Sequence, residues 1–106
     1  MKRYKVFISQ EARNDLAYIK GYIVREYDDS VSANKLILRL LDKCFNLTYL
    51  PVRSSIICQV KGRKLRSIHI KGYRIIYYID EAEARVFILA VVGSRRSIDR
   101  IISERG

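Results

Sequence analysis

Three apolar runs separated by very short turns occupy residues 64–92 and constrain the fold more than any other feature of the sequence. The runs are KLRSIHI, KGYRIIYYID and ARVFILAVV, and they are rich in the Ile, Val, Tyr and Phe residues that favour strands. Lys71 and Gly72 form a suitable hairpin turn, because Gly72 can adopt the positive φ that such turns need. The sequence therefore predicts a three-strand meander in this half of the chain.

The N-terminal half has the pattern of a strand followed by two helices. Alternation in RYKVFI predicts a strand, and Ser9 can cap a helix over residues 10–27. A second helix, capped by Asp29 or Ser30, follows this helix and ends before Pro51. The apolar residues at helical spacing are Ala12, Leu16, Ile19, Ile23 and Tyr27 in the first helix, and Ala33, Leu36, Leu40, Cys44 and Leu47 in the second.

These elements define an α+β fold in a single domain spanning residues 1–106. In chain order it comprises an N-terminal strand, an antiparallel helical hairpin, an antiparallel strand meander and a short C-terminal helix over about residues 97–104. We expect the helical hairpin to pack on one face of the sheet.

The predicted turn also fixes which side chains share a face, because residues paired across a ladder point to the same side. It pairs Ile70 with Tyr73 and His69 with Arg74. The side expected under the hairpin holds Ile68, Ile70, Tyr73, Ile75, Tyr77, Ile79, Val86, Ile88 and Ala90. The other side holds Leu65, Ser67, His69, Arg74, Ile76, Tyr78, Phe87, Leu89 and Val91. That side is too apolar to remain bare, and we expect a partner to cover it rather than the C-terminal segment or a second copy.

Charge restricts the class of partner. The chain has 21 Lys and Arg against 11 Asp and Glu, a net charge of +10 at pH 7. No acidic residue occurs between Asp42 and Asp80, although this segment is rich in Lys and Arg. Such a segment indicates a positive face that binds nucleic acid, an anionic membrane surface or an acidic protein. A solvated basic surface without a specific partner is the alternative.

The few cysteine and histidine residues argue against disulfide and metal chemistry. Cys44, Cys58 and His69 are the only such residues, and their irregular spacing makes a poor zinc site. The N-terminus lacks the long apolar core of a secretion signal, and the apolar runs are too short to span a bilayer. We therefore expect a cytoplasmic protein with reduced thiols, without a cofactor and without membrane contact.

Three segments resemble the RelE/ParE superfamily of bacterial type II toxins. EARNDLAYIKGYI is similar to the first-helix pattern, especially that of the ParE branch, KGYRIIYYID to the central strand, and ILAVVGSRRSIDR to the last strand and tail. The resemblance covers nearly the whole chain and implies a cognate antitoxin that wraps and silences the toxin. It also implies one of two targets, since RelE-like toxins cleave mRNA on the ribosome whereas ParE-like toxins poison DNA gyrase.

Resemblance to RelE-like toxins implies a set of site residues for RNA cleavage. This reaction needs a base for the 2′-hydroxyl, cations for the phosphate oxygens and an acid for the leaving oxygen. Arg74 matches the arginine of the family's GYR motif and Arg95 the first arginine of its tail motif, and both would hold the phosphate. Lys64, crowded by cations, would act as the base, and His69 would donate a proton. The substrate-binding cations would be Lys61, Arg63, Arg66, Lys71 and Arg96.

Two positions depart from the RelE-like tail motif, which is often written GHRREVYR. Ser94 stands where histidine often occurs, and Asp99 stands where tyrosine occurs. Asp99 cannot stack on a base, so the usual tail residue for stacking or proton transfer is missing. The sequence favours a ribosome-dependent mRNA endonuclease, followed by a gyrase poison and then by a non-toxic member that only binds a partner.

Overall fold

The protein, described over residues 2–105 by a computed structural model, folds into a five-stranded sheet with helices on both faces. The strands are β1 (Lys5–Ile8), β2 (Ile56–Val60), β3 (Arg63–Ile70), β4 (Tyr73–Asp80) and β5 (Arg85–Gly93). Their order in the sheet is β1-β5-β4-β3-β2, with β1 parallel to β5 and the other neighbours antiparallel. The helices are α1 (Gln10–Tyr27), α2 (Ser30–Phe45) and α3 (Ile98–Arg105). The predicted α+β class and the predicted order of elements are confirmed.

Capped ends define the helical hairpin. The Ser9 hydroxyl accepts a hydrogen bond from the Ala12 amide at 3.1 Å, and the Asp29 carboxylate accepts one from the Ser32 amide at 2.9 Å. Asp28 ends α1 in the left-handed conformation, so α2 begins only two residues later. The boundaries of α1 match the prediction, but Tyr27 is 68% exposed and does not belong to the buried stripe.

Two identical Lys-Gly turns organise the meander. Lys61-Gly62 joins β2 to β3 and Lys71-Gly72 joins β3 to β4, each with φ near +50° at lysine and +80° at glycine. These paired positive φ values are those of a type I′ turn, whose twist suits a two-residue hairpin. The predicted pairing of His69 with Arg74 is confirmed. Strand β2 was not predicted, although it lies one Lys-Gly turn before β3.

A β-bulge at Leu89 changes the face assignment along β5. Tyr77 pairs with Ile88 but Ile76 pairs with Ala90, so Leu89 is an extra residue in β5. Beyond it, Val91 packs in the cluster under the helical hairpin and Ala90 in the cluster on the other face. The predicted faces of Ala90 and Val91 are therefore wrong, because simple alternation does not continue through a bulge.

The two faces of the sheet are closed differently. The hairpin face, covered by α1 and α2, contains the larger cluster, in which Leu40, Cys44, Ile75, Tyr77 and Ile88 are fully buried. On the opposite α3 face, Ile101 of α3 packs in a smaller cluster. The expectation that a partner covers this face is therefore corrected, because the C-terminal helix covers its centre. No helix among residues 2–105 is long and apolar enough to cross a membrane.

An ion pair fastens the end of α3 to the first helix. Both nitrogens of the Arg105 guanidinium donate to the Asp15 carboxylate, at 2.6 and 2.9 Å. Arg105 also donates to the Leu89 carbonyl, and the Asp15 carboxylate accepts the Val91 amide at 2.9 Å. These bonds satisfy the backbone groups that the bulge turns away from β4. The pair with Asp15 is the main cause that raises the pKa of Arg105.

Candidate functional site

The predicted arginine of the central strand lies at the end of the sheet where the chain leaves β5. Arg74 donates from Nη2 to the Ser94 carbonyl at 3.1 Å, one residue before Arg95. The Ser94 amide and hydroxyl both donate to the Gly72 carbonyl, at 2.9 and 3.0 Å. The β3–β4 turn and the tail are therefore joined through backbone groups. We call this end of the molecule the tail rim and define it by His69, Lys71, Arg74, Arg95 and Arg96.

The tail rim is cationic and accessible. His69, Lys71, Arg95 and Arg96 are exposed, whereas Arg74 is half-buried. Within residues 2–105 none of the rim cations forms an ion pair, and the buried Nε of Arg74 has no hydrogen-bond partner. A guanidinium has five N–H donors, so Arg74 retains donors for an anion after bonding Ser94. The rim can bind a phosphate or a carboxylate.

Two other predicted site residues lie on the opposite face of the sheet. Arg66 pairs with Tyr77, which is buried on the hairpin face, and Lys64 lies two residues before it on the same side. Arg66 donates to the carbonyls of Ser54 and Val52 and so supports the loop before β2. The sheet therefore separates Lys64 and Arg66 from Arg74 and His69.

The remaining predicted cations lie at the far end of the sheet. Lys61 occupies the β2–β3 turn and Arg63 begins β3, which has eight residues and spans about 23 Å at the usual rise per residue. The Arg63 guanidinium lies 4.7 Å from the centroid of the Tyr78 ring. Tyr78, Phe87 and Phe7 stack in a row, with ring centroids 5.1 and 5.4 Å apart. Arg63 thus caps an aromatic ladder and does not join the tail rim.

The two residues that depart from the RelE-like tail motif have structural positions. The Ser94 hydroxyl bonds to Gly72, as described above, and Asp99 is exposed in the first turn of α3. Burial, and to a smaller extent the charge of Asp99, raises the pKa of the Cys58 thiol. Asp99 therefore faces β2, and it occupies the helix N-terminus, where a carboxylate is favoured by the helix dipole.

A second concave feature was missed by the sequence analysis. An apolar cleft of about 200 Å³ opens between α1 and the last residues of β5. Its walls include Tyr18, Tyr22 and Tyr73, and Arg96 lies at its rim. Burial, followed by the nearby phenols of Tyr22 and Tyr27, raises the pKa of Tyr73. The available sequence signal was the recurrence of tyrosine four residues apart on α1, at positions where a helix presents one face.

The arrangement at the tail rim supports anion binding better than it supports acid–base catalysis. A nuclease needs a base and an acid within hydrogen-bond distance of the same phosphodiester. The rim supplies cations and one imidazole, but the proposed base Lys64 lies across the sheet. The rim alone therefore does not contain the predicted catalytic set.

Comparison with known protein families and structures is consistent with this fold. Residues 6–98 match the family described as ParE toxin of the type II toxin-antitoxin system parDE. No curated protein matches the sequence.

The similar solved structures share the fold at low sequence identity. The RelBE2 toxin–antitoxin complex of Mycobacterium tuberculosis gives a TM-score of 0.66 at 22% identity, covering 91% of this chain and 97% of that chain. The chromosomal ParDE system of P. aeruginosa gives a TM-score of 0.70 at 13% identity, covering 88% and 98%. The free E. coli RelE toxin gives 0.58 at 15% identity, covering 97% and 94%. Both the RelE and the ParE types are thus similar in fold.

Proposed function

The chain belongs to the ParE toxin family of type II toxin–antitoxin systems, and from this premise we propose that it arrests growth by binding a protein target rather than by cutting RNA. The resemblance implies that DNA gyrase is that target, and that a cognate antitoxin silences the toxin. The observation that carries the proposal is the division of the predicted catalytic residues between two faces of one sheet. Lys64 and Arg66 point to the hairpin face, whereas Arg74 and His69 point to the α3 face.

The role of Arg66 supports the same proposal. Its hydrogen bonds to the carbonyls of Ser54 and Val52 hold the loop between α2 and β2, so its charge is engaged within the molecule. Arg53 of this loop similarly donates to the carbonyls of Asn46, Tyr49 and Leu50. Part of the long acid-free segment therefore stabilises a loop and does not form a surface for RNA.

Cleavage of mRNA remains the second candidate because of one specific contact. Arg74 bonds the Ser94 carbonyl, which brings the backbone beside Arg95 to the strand position opposite His69. Arg74 and Arg95 would clamp a phosphate there, and His69 would donate a proton to the leaving oxygen. In this alternative the base has to come from a group other than Lys64.

Two cell-free reactions with the purified protein distinguish the candidates. We expect it to inhibit DNA supercoiling by gyrase or to accumulate cleaved DNA, and to leave translation of a reporter mRNA unchanged. Loss of translation with cleaved mRNA would overturn the proposal in favour of the nuclease. A folded protein that affects neither reaction would also overturn it, in favour of a member that only binds a partner.

The His69→Ala variant makes this comparison sharper. His69 is exposed, so its removal does not disturb the core. We expect the variant to inhibit gyrase as the parent does. A nuclease that uses His69 as its acid would instead lose about 100-fold or more of its cleavage rate.

A further inference from the structure

We propose that the tyrosine-walled cleft between α1 and β5 is a docking site for an acidic segment of the antitoxin, which inserts one large apolar side chain. This inference rests on the proposed function for the identity of the partner. The location and chemistry of the site come from the cleft itself.

The shape of the cleft selects an anchor side chain. The volume of about 200 Å³ is smaller than the usual size of a small-molecule pocket, and it matches one large aromatic or aliphatic side chain. Apart from the three tyrosines, its walls are formed largely by Ile19, Val91 and Val92, which are buried or nearly so. Tyrosine walls combine a large apolar area with a hydroxyl that can bond a passing backbone.

The neighbouring backbone excludes strand addition as the main mode of binding. Strand β1 pairs only with Arg85–Ile88, so the later part of β5 has no strand on this side. However, the Leu89 carbonyl and the Val91 amide already bond Arg105 and Asp15. A new strand would have to displace this ion pair. A partner therefore enters the cleft more easily with a side chain than with its backbone.

The charges around the cleft select an acidic segment. Asp15 lies in the cleft, but its charge is neutralised by the bidentate pair with Arg105. Arg96 at the rim is exposed and forms no ion pair within the described part of the chain. The free charge at the opening is thus positive. A second copy of this chain is a poor occupant, because two molecules of net charge +10 repel each other.

Nuclear magnetic resonance of the full chain labelled with ¹⁵N-glycine tests the site directly. The chain has only five glycines, of which Gly93 lines the cleft and Gly62 lies in the distant β2–β3 turn. The probe is a blocked pentapeptide with tryptophan at its centre and glutamate on both sides. We expect the Gly93 amide resonance to shift saturably at millimolar peptide while Gly62 stays unchanged. An unchanged Gly93 resonance would overturn the proposal.

Two control peptides separate the anchor from the charge. Replacing the central tryptophan by serine should remove binding, because the apolar side chain is lost. Replacing the glutamates by lysines should weaken binding about tenfold or more, because Arg96 then faces like charges. Equal binding of all three peptides would overturn the proposed chemistry. A Gly93 shift that depends on protein concentration without peptide would indicate a second copy as the occupant.

Matched variants locate the contact. Tyr18 and Tyr27 are both 68% exposed on α1, but only Tyr18 lines the cleft. We expect Tyr18→Ala to weaken peptide binding about tenfold and Tyr27→Ala to change it less than about twofold. Arg96→Gln should weaken binding about fivefold, whereas Lys20→Gln, an exposed charge of α1 outside the cleft, should not. Equal effects within either pair would contradict the assignment.

This experiment is independent of toxicity. Peptide binding at Gly93 without any effect on gyrase or translation would support the docking site while the proposed target fails. Inhibition of gyrase without peptide binding would do the reverse.

Discussion

The two faces of the sheet are closed by different physical means. The hairpin face is closed by two long helices whose apolar stripes interlock with an uninterrupted set of strand residues. The α3 face is closed by an eight-residue helix that buries Ile101 and is fastened by one ion pair. Burial spread over many contacts makes the first face a global determinant of stability, whereas the second can open locally. The protein thus combines a firm scaffold with a detachable cover.

The largest expected difference between the faces comes from truncating one buried side chain on each. Leu40 and Ile101 are almost completely buried, on the hairpin face and the α3 face respectively. We expect Leu40→Ala to lower the free energy of unfolding by about 4 kcal/mol and Ile101→Ala by about 2 kcal/mol. The cost at Ile101 is smaller because a short terminal helix can relax around the cavity. Urea unfolding followed by circular dichroism measures both values.

The comparison of the faces would fail if Ile101→Ala cost as much as Leu40→Ala. Equal costs would mean that α3 unfolds only together with the whole protein. An Ile101→Val variant provides the control for the loss of packing alone, with an expected cost of about 1 kcal/mol.

A second, smaller difference concerns two arginines of the same helix. The side chains of Arg105 and Asp15 are only 14% and 11% exposed, whereas those of Arg100 and Glu104 are 79% and 52% exposed. We expect Arg105→Gln to destabilise the docking of α3 by about 2 kcal/mol, because Asp15 then keeps a shielded and unpaired charge. Arg100→Gln should change it by less than about 0.5 kcal/mol, because solvent screens that pair.

Hydrogen exchange in α3 measures this second difference. The Ile101 amide, which donates to the Ser97 carbonyl, should exchange about 30-fold faster in Arg105→Gln than in the parent. Strand amides of Ile75 and Tyr77 should not change. An unaltered exchange rate at Ile101 in the Arg105→Gln variant would show that the ion pair does not hold the helix.

The smallest effect is a difference in thiol reactivity, with no change in stability. Cys44 is buried under the hairpin, and burial raises the pKa of its thiol from 9.0 to about 12. Cys58 is half-buried in the cluster under α3. A thiol-specific reagent at mildly alkaline pH should therefore label Cys58 about 100-fold faster than Cys44, because only the α3 face opens locally. Ile101→Ala should accelerate labelling at Cys58 alone.

The same shift gives a sign for the pH dependence. The raised pKa means that the folded protein binds the Cys44 proton more tightly than the unfolded chain does. This contribution to stability is fully present below pH 9 and is lost as the pH rises towards 12. The slope of stability against pH above 9 should be smaller in Cys44→Ala than in the parent. Equal slopes would contradict the assignment.

The sequence predicts the hairpin face well because that face depends on local signals. Ser9 and Asp29 mark the helix starts, helical spacing selects Ala12, Leu16 and Leu40, and Gly72 fixes the register between β3 and β4. Each signal acts over a few residues, so the pattern along the chain contains it.

The α3 face was predicted less well because it depends on contacts between distant residues. The extra residue Leu89 interrupts the alternation without leaving a mark such as glycine or proline. The Asp15–Arg105 pair joins residues 90 positions apart, and no local pattern indicates it. For the candidate site, the pairing of His69 with Arg74 was predictable from the turn. The separation of Lys64 and Arg66 was already implied by strand alternation, but the family resemblance had grouped them with Arg74.

The extra residue at position 89 also gives the C-terminal region a parity. Deleting one codon there would restore plain alternation and interchange the inward and outward positions of every later residue of β5. Val91 and Val92 would exchange places, and the chain would depart from the opposite surface with both tail arginines. An in-frame loss of three nucleotides could thus relocate the functional end of this molecule while leaving every side chain that it needs in the gene.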